Sequence, residues 1–363
     1  MDAGTVLERV VPILYFLVCL TVVAELADRM GLFEVLGRAA SRISGGRVWQ
    51  LWLIIAVVSV ATTAVLSLDT TAVLVTPVAL ALIRRHRLPP SLFAWTTIWT
   101  ANCASLLLPV ANLTNLLALS HPQPTITAAN WWPRVGLVGV ICASVPLLVL
   151  AVRHRHLLAS DLHHPEPQQG QDRVQVVAAG LVCTGLAVAF IAGAPITTAA
   201  GLGALILCLV CWWRQPAALE LRILPWRTVL AVAVLFAAVT LLHELGLTAG
   251  LVQVTGTGDG RGDHLRLAGT AMLASNVINN LPAYLLLEPA ADTAGRMIAL
   301  LVGVNAGPLI TPWASVATLL WANRCRAAGV PVVWRSLSGW GALCAVLTVG
   351  AAVLFDTVLY GTR

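Results

Sequence analysis

The sequence contains no lysine, and all 22 of its basic residues are arginine. A P-loop places a lysine on the nucleotide phosphates, and Schiff-base enzymes use a lysine amine as the nucleophile. The absence of lysine excludes both kinds of site. If the protein moves a solute, it does not draw the energy from a P-loop within this chain.

Charge of either sign is scarce. Only 10% of the 363 residues are charged, against about a quarter in a soluble domain. Hydrophobic residues make up 58% of the chain, and the mean hydropathy is +0.86. Apolar runs recur from end to end at lengths of about twenty residues, enough to cross a bilayer. No stretch is typical of a separate soluble domain, so the composition predicts an all-α polytopic membrane protein.

The sequence gives little support for a nucleic-acid, metal or cofactor site. The net charge is +6, but the arginines lie at the ends of apolar segments, which predicts membrane topology and no nucleic-acid partner. The eight cysteines are scattered, mostly through apolar segments, as small buried hydrophobes are. Cys103 alone lies within a motif, where packing is favoured over binding a soft metalloid. The histidines of 154–164 lack a ligand spacing, so we predict no metal site and no cofactor.

The apolar segments divide into spans and hairpins. The segment 10–24 follows Asp2 and Glu8, which is a weak signal-peptide start, so we interpret it as an uncleaved first span. Two stretches, 48–83 and 264–290, are interrupted by polar residues near the middle, and we interpret them as re-entrant hairpins. Full spans are predicted near 6–26, 91–119, 131–151, 174–192, 196–213, 226–245, 292–322 and 336–359.

This topology sorts the arginines. Sixteen then lie on one side and six on the other, and the richer side is the cytoplasm by the positive-inside rule. We therefore predict a multi-pass protein of the plasma membrane. The polar loop 153–173 is interpreted as a cytoplasmic linker between two halves, 1–152 and 174–363.

The two halves resemble each other. Residues 102–118 (NCASLLLPVANLTNLLA) align without a gap on 305–321 (NAGPLITPWASVATLLW). Residues 69–77 align on 279–287, and Gly31-Leu32 on Gly246-Leu247, in the same order. The hairpins would open to opposite sides, so the repeat is inverted. Inverted repeats with broken helices are typical of secondary transporters.

The interrupted spans 91–119 and 292–322 indicate where a solute would bind. Irregular backbone at membrane depth is tolerated only where protein or a water-filled cavity surrounds it. Polar residues of these spans and of the two hairpin tips could converge there. Helix-to-helix hydrogen bonding is the alternative role for each of them. The candidate binding residues are Asp69, Thr70, Thr71, Asn102, Ser105, Asn112, Thr114, Asn115, Ser275, Asn276, Asn279, Asn280, Asn305, Thr311 and Ser315.

Asp69 is the only acid predicted near the membrane centre. An ionised carboxylate costs roughly 2.5–3.5 kcal/mol there on insertion scales, so such residues usually have a function. We interpret Asp69 as the proton-coupling residue. The alternative is that it caps a half-helix beginning at Thr70, since aspartate is a good N-cap.

Several of these stretches resemble one family. LDTTAVLVTPVALAL, ANCASLLLPVANLTNLL, NNLPAYLL and GPLITPWASVATLLW are similar to the hairpin tips and broken spans of the arsenical-pump membrane proteins. The resemblance covers nearly the whole chain. It implies efflux of arsenite or antimonite as neutral trihydroxides in exchange for protons, sometimes assisted by a soluble ATPase. The partners would then be a small inorganic solute, protons, the bilayer, that ATPase and a second copy of the chain.

The chain also departs from the family pattern. Leu68-Asp69 stands where the family has Asn-Asp, Asn102 and Asn305 stand for aspartates, and Leu309 stands for a lysine. Asp69 is then the sole coupling acid. The chain begins where the third helix of the family would, so we expect a shortened first half. A sodium/proton or other anion transporter of the same fold, and an inactive paralogue, remain alternatives; no arrangement predicts an enzyme.

Overall fold

All regular structure in the described part of the protein is helical. The computed structural model describes residues 3–121, 126–162, 172–192, 194–214 and 254–359, with isolated residues between 216 and 234. An all-α fold is therefore confirmed within these ranges. Most of the predicted span 226–245, the pair Gly246-Leu247 and the linker residues 163–171 lie outside the described residues.

The first half of the described chain forms seven α-helices of eight residues or more. Their bounds are α1 Ala3–Arg29, α2 Leu32–Ile43, α3 Val48–Val65, α4 Thr76–His86, α5 Pro90–Cys103, α6 Leu113–Ser120 and α7 Leu137–Arg153. Two turns of wider π-helix, Thr71–Val75 and Trp132–Gly136, lead directly into α4 and α7. Gly31 has φ 79° between α1 and α2, a backbone conformation that glycine adopts without strain.

The second half supplies seven further helices in the described ranges. Their bounds are α8 Arg173–Ile191, α9 Ile196–Arg214, α10 Arg261–Ile278, α11 Asn280–Leu287, α12 Ala294–Ala306, α13 Val316–Ala327 and α14 Trp334–Leu359. Four helical segments of the described chain are long and apolar enough to cross a membrane. They are Val48–Val65, Trp132–Arg153, Thr197–Arg214 and Trp334–Leu359, and this agrees with a polytopic membrane protein.

The helices pack around two apolar cores. The smaller core joins α1, α2, α8 and α9 through residues such as Val23, Leu26 and Leu207. The larger core takes in most of the remaining helices. The Arg324 guanidinium of α13 donates to the Glu25 carboxylate of α1 at 2.9 Å, with only 7% of the arginine side chain exposed. This ion pair ties the two cores together.

The stretch 48–83 begins and ends at one end of the molecule. Ser41, shortly before α3, lies 2.7 Å from the imidazole of His86 at the end of α4. Arg84 of α4 pairs with Glu34 of α2 at 3.5 Å. The end of α4 therefore lies beside α2, which precedes α3, and Ser67 lies at the turn between α3 and α4.

The stretch 264–290 is closed in the same way. The guanidinium of Arg296 donates to the carbonyl of Ala290, which follows α11, at 2.6 Å. The same group donates to the carbonyl of Gly258, which precedes α10, at 2.7 Å. One buried arginine therefore holds both ends of this stretch together.

The long helix α14 connects the two ends of the molecule. Its first residue, Trp334, packs edge-on against Trp321 of α13, at the same end as Arg324. Arg153 at the end of α7 lies over the ring of Trp340, near the start of α14. The helices α7 and α14 are thus antiparallel neighbours, and Asp356 lies near the opposite end of the molecule.

A glycine allows α12 to approach α10 closely. A Cβ at Gly303 would collide with the carbonyl oxygen of Ala268 and the Cβ of Ala271. Gly303→Ala should destabilise the protein by about 1–3 kcal/mol because the two helices must separate. The melting temperature in detergent measures this. Gly269→Ala on α10 is the matched control, since nothing lies within 4 Å of its Cβ. Equal melting temperatures for the two variants would contradict the close approach.

Candidate functional site

Four helices of the described chain begin within an interrupted apolar segment, and each begins at a polar N-cap. A helix start leaves backbone N–H groups without intrahelical partners, and a short polar side chain can accept from one of them. The caps are Ser67, Asn112, Asn279 and Ser315, which accept from the N–H of Thr70, Thr114, Leu281 and Thr318.

Ser67 organises the first tip. Its Oγ accepts from the N–H of Thr70 at 3.0 Å and lies 2.8 Å from the Thr70 hydroxyl. The helical turn therefore begins at Leu68, two positions before the start that the capping alternative required. The prediction that Asp69 could be this cap is wrong, because Ser67 occupies the extended position where a cap must sit.

Asp69 lies in the first helical turn after Ser67. Its Oδ1 is buried and has no hydrogen-bond partner among the described residues, although the residue as a whole is half-buried. Thr71 beside it is fully buried and its hydroxyl lies 2.8 Å from that of Thr63 on α3. Asp69 is thus the one acid at any of the four interruptions, and one of its oxygens is unpaired.

The first broken span unwinds after α5. Asn102 donates from Nδ2 to the carbonyl of Ile98 at 3.0 Å, while its buried Oδ1 has no partner among the described residues. The hydroxyl of Ser105 donates to the carbonyl of Asn102 at 2.6 Å. The chain then passes through short 3₁₀ turns at Ala104–Leu106 and Pro109–Ala111 before α6 begins.

Asn305, at the end of α12, binds the residues around the start of α6. Its Oδ1 accepts from Nδ2 of Asn112 at 2.6 Å and from the hydroxyl of Thr114 at 2.9 Å. Its Nδ2 donates to Oδ1 of Asn115 at 2.9 Å. All four residues are at least 94% buried. A closed amide network therefore joins the two broken spans across the halves.

Asn115 extends this network to the unwound backbone. Its Nδ2 donates to the carbonyls of Ser105 at 2.7 Å and Leu108 at 3.1 Å. These carbonyls have lost helical partners because the chain between α5 and α6 is irregular. The side chain of Asn115 therefore stabilises the break itself.

Asn276 plays the same part in the second half. Its Oδ1 accepts from the N–H groups of Ile310 at 3.0 Å and Thr311 at 3.1 Å. Its Nδ2 donates to the carbonyl of Gly307 at 2.9 Å, and the Thr311 hydroxyl donates to the Asn276 carbonyl at 2.7 Å. The residue before the second tip thus fixes the break between α12 and α13.

Asn279 and Asn280 attach the second tip to the same break. Asn279 has φ 82°, a conformation that asparagine tolerates better than most residues. Its Nδ2 donates to the carbonyl of Trp313 at 2.8 Å, and the N–H of Asn280 donates to the carbonyl of Ala314 at 2.9 Å. The hydroxyl of Ser275 donates to Ala271 within α10. The tip and the break form one unit.

The candidate residues therefore fall into separate groups. One group joins Asn305 to the α6 start, and a second joins the tip at Asn279 to the break beyond Asn305. No hydrogen bond in the described chain links Asp69 to either group. The turn of Asp69 packs against α5 and α13. Thr318, whose N–H and hydroxyl both contact Ser315, was missed, although it aligns with Asn115 in the repeat.

Interrupted apolar helices whose breaks are held by buried amides define a membrane transporter. The chain belongs to the citrate transporter family, CitMHS, whose model matches residues 6–354. It is therefore a multi-pass transporter of the plasma membrane and not an enzyme.

Several relatives have names that describe a pump or a transporter. The arsenical pump membrane protein of Escherichia coli is 26% identical over 342 residues, covering 87% of this chain and 79% of that protein. The protein of the same name in Yersinia enterocolitica is 26% identical over 344 residues, with the same coverage. An uncharacterized transporter of Mycobacterium tuberculosis is 23% identical over 377 residues, covering 96% of this chain and 86% of that protein. The resemblance to the arsenical-pump proteins is thereby confirmed.

The amide network predicts energetic coupling between Asn305 and Asn115. A double-mutant cycle with both residues changed to Ala should give a coupling of about 0.5–3 kcal/mol, as contacting residues do. Thermal unfolding of the four purified proteins in detergent provides the free energies. The matched cycle combines Asn305→Ala with Ser144→Ala, because the exposed Ser144 hydroxyl bonds only within its own helix. Additive effects in the first cycle would contradict the network.

Proposed function

We propose that the protein is a secondary active transporter that exports arsenite, antimonite or a similar small oxyanion in exchange for protons. The observation that carries this proposal is the chemistry of the four interruptions. Buried amides and hydroxyls lie at these interruptions, and a single acid, Asp69, lies at the first of them with an Oδ1 that has no partner in the described chain. Such groups can bind a small polar solute and exchange one proton.

The proposal includes two inverted halves, 1–152 and 174–363, joined by the linker 153–173. The contacts at the hairpin ends support it. The bond between Ser41 and His86 brings together the ends of 48–83, and Arg296 does so for 264–290. The ends of 48–83 lie near Arg84, and the ends of 264–290 lie near Asp259. These two places are near opposite ends of α14. Hairpins that open to opposite sides are expected of an inverted repeat.

The half-helices that follow the two tips pack reciprocally, each against a helix of the other half. The helical turn after the first tip packs against α13, which follows the break of the second half. The helix α11 after the second tip packs against α6, which follows the break of the first half. Each tip is thus completed by the other half, as expected where two repeats form one central site.

A neutral solute suits the chemistry of these residues. Amides and hydroxyls hydrogen-bond a trihydroxide without fixing a charge, whereas citrate carries several carboxylates and would call for cations. The arginines Arg296 and Arg324 are held by carbonyls and by Glu25 at the helix ends. The names of the arsenical-pump relatives favour the same substrate class. That the protein acts with a soluble ATPase subunit and that it forms a homodimer both remain predictions.

Asp69 is the proposed coupling residue. A carboxylate without donors around one of its oxygens can hold a proton there, and releasing the proton restores a charge that the apolar surroundings disfavour. Coupling follows if the solute and the proton bind in alternate orientations of the site.

Asp69→Asn tests this role, because asparagine keeps the shape and cannot release the proton. Arsenite uptake into everted membrane vesicles should be stimulated by a pH gradient for wild type. The variant should lose that stimulation. Asp161→Asn, which changes an exposed carboxylate near α3, should behave as wild type.

Two results would count against the proposal in different ways. Vesicles with wild-type protein that take up no more arsenite than empty vesicles would remove the metalloid substrate. Equal stimulation of the Asp69→Asn variant and wild type would remove Asp69 from coupling.

Labelling with a membrane-impermeant maleimide tests the first hairpin. Single cysteines replace the exposed residues Arg47 and Arg84 in a background with the native cysteines changed to alanine. A hairpin puts both on the cytoplasmic side, so both should react in everted vesicles and neither in intact cells. Asp292→Cys is the opposite-side control. If position 47 and position 84 react from different sides, 48–83 crosses the membrane and the hairpin is wrong.

A further inference from the structure

A second acid is buried far from Asp69, near the end of α14. Asp356 is only 4% exposed, and its Oδ1 has no hydrogen-bond partner among the described residues. Buried polar atoms in folded proteins are almost always paired, so each exception calls for an explanation. The proposed solute site does not use Asp356, which lies near the end of the molecule away from Arg324.

His264 is a second buried group with an unpaired atom in the same region. It lies in the first turn of α10 and is 6% exposed. Its Nε2 lies 2.7 Å from Oδ1 of Asp259, while its buried Nδ1 has no partner in the described chain. The ring therefore has one nitrogen toward a carboxylate and one unpaired nitrogen inside.

The position of this ring depends on a glycine. A Cβ at Gly295, near the start of α12, would lie 2.6 Å from Cε1 and 3.0 Å from Nε2 of His264. Any larger residue would displace the imidazole from Asp259. The geometry of the pair is thus built into two helices.

Asp259 connects the ring to the surface. Its side chain is 54% exposed, and it also accepts from the hydroxyl of Thr293 at 2.7 Å. Burial would raise the pKa of Asp259, but the hydrogen bonds from His264 and Thr293 hold it below its usual value. Asp259 is therefore ionised near neutral pH and can accept a proton and pass it to water.

The described groups around the Asp356 carboxyl include one imidazole, that of His264. The helix α14 packs against α7, α10 and α12. The charges that act on the Asp356 carboxyl are those of His264 from α10, Arg134 before α7 and Asp259. From α12, Arg296 is occupied by Asp292 and by backbone carbonyls. Arginine does not exchange protons in proteins, so among these described groups His264 is the one that can take the proton of Asp356 toward the surface.

We propose that Asp356, His264 and Asp259 form a proton path between the interior of the second half and the surface at its outer end. Asp356 gives its proton to Nδ1 of His264 across a bridging water. The imidazolium then gives the proton on Nε2 to the carboxylate of Asp259, which releases it to solvent. One proton moves outward, and the ring is left with its proton on Nδ1 until it returns to the starting tautomer. The reverse sequence takes a proton inward, and the proposal rests on the proton coupling proposed above.

Infrared difference spectroscopy on the purified protein tests the path without any solute. Lowering the pH should produce a carbonyl stretch from a buried protonated carboxyl, and Asp356→Asn should remove one such band. Asp356→Glu should keep a band, and His264→Gln should shift its pH midpoint. Asp292→Asn, an exposed carboxylate beside Arg296, should leave the spectrum as in wild type. The path is overturned if the Asp356→Asn spectrum equals that of wild type, or if the band ignores His264.

Transport supplies the second arm, with arsenite as the probe in everted vesicles. Uptake driven by a pH gradient should fall about a hundredfold in Asp356→Asn and His264→Gln, the low end of what a positioned acid or base contributes. Exchange of labelled for unlabelled arsenite at equal pH should continue. Gly295→Ala, which only displaces the ring, should also slow gradient-driven uptake. Loss of both activities in all three variants would make the residues structural and overturn the path.

The two arms separate this inference from the proposed function. If wild-type vesicles carry no arsenite but the infrared band depends on Asp356 and His264, the substrate is wrong and the path is supported. If arsenite uptake depends on Asp69 while the spectra and the fluxes of Asp356→Asn match wild type, the coupling is supported and the path is wrong.

Discussion

The fold depends on one constraint, which is that backbone N–H and C=O groups inside a bilayer need partners within the protein. This chain interrupts its helices and replaces the missing helical bonds with side-chain amides. Asn115 takes the carbonyls of the first break. Asn276 takes two N–H groups of the second. Without these amides, the backbone C=O and N–H groups at the breaks would be unpaired in an apolar interior, at a cost of about 1–3 kcal/mol each. The asparagines therefore stabilise the breaks.

The same hydrogen bonds reduce the number of candidate residues that are free to bind a solute. An amide that already bonds at both ends has little capacity left for a solute, and Asn305 and Asn276 are of this kind. On the proposed function, helix attachment and solute binding would be successive uses of the same groups. Asp69 and Asn102 differ because each keeps a buried oxygen that no described group satisfies. On the proposed function a solute would meet these two first, and binding would exchange protein hydrogen bonds for bonds to the solute.

The sequence predicted the interruptions well, because a proline, glycine or asparagine within an apolar run breaks the local pattern. It could not predict which amide meets which break. Asn112 and Asn305 are separated by 193 residues, and no local period encodes such a contact. The capping alternative for Asp69 failed for a different reason. Serine and aspartate are comparable caps, and only the extended backbone at Ser67 decides between them. Thr318 could have been found, since the repeat alignment pairs it with Asn115.

A proton that crosses the membrane must pass about 30 Å of apolar material, and one acid cannot serve that whole distance. Asp69 lies at a tip that is reached from the hairpin end beside Arg84. Asp356 lies toward the other end of the molecule, next to the base of the second stretch, where His264 faces an exposed carboxylate. On the proposed function, the two acids lie where alternating access would need them, one at the interior site and one on the approach to the opposite surface. Inverted halves would produce this arrangement, because inversion puts the polar tip of one half and the polar base of the other at different depths.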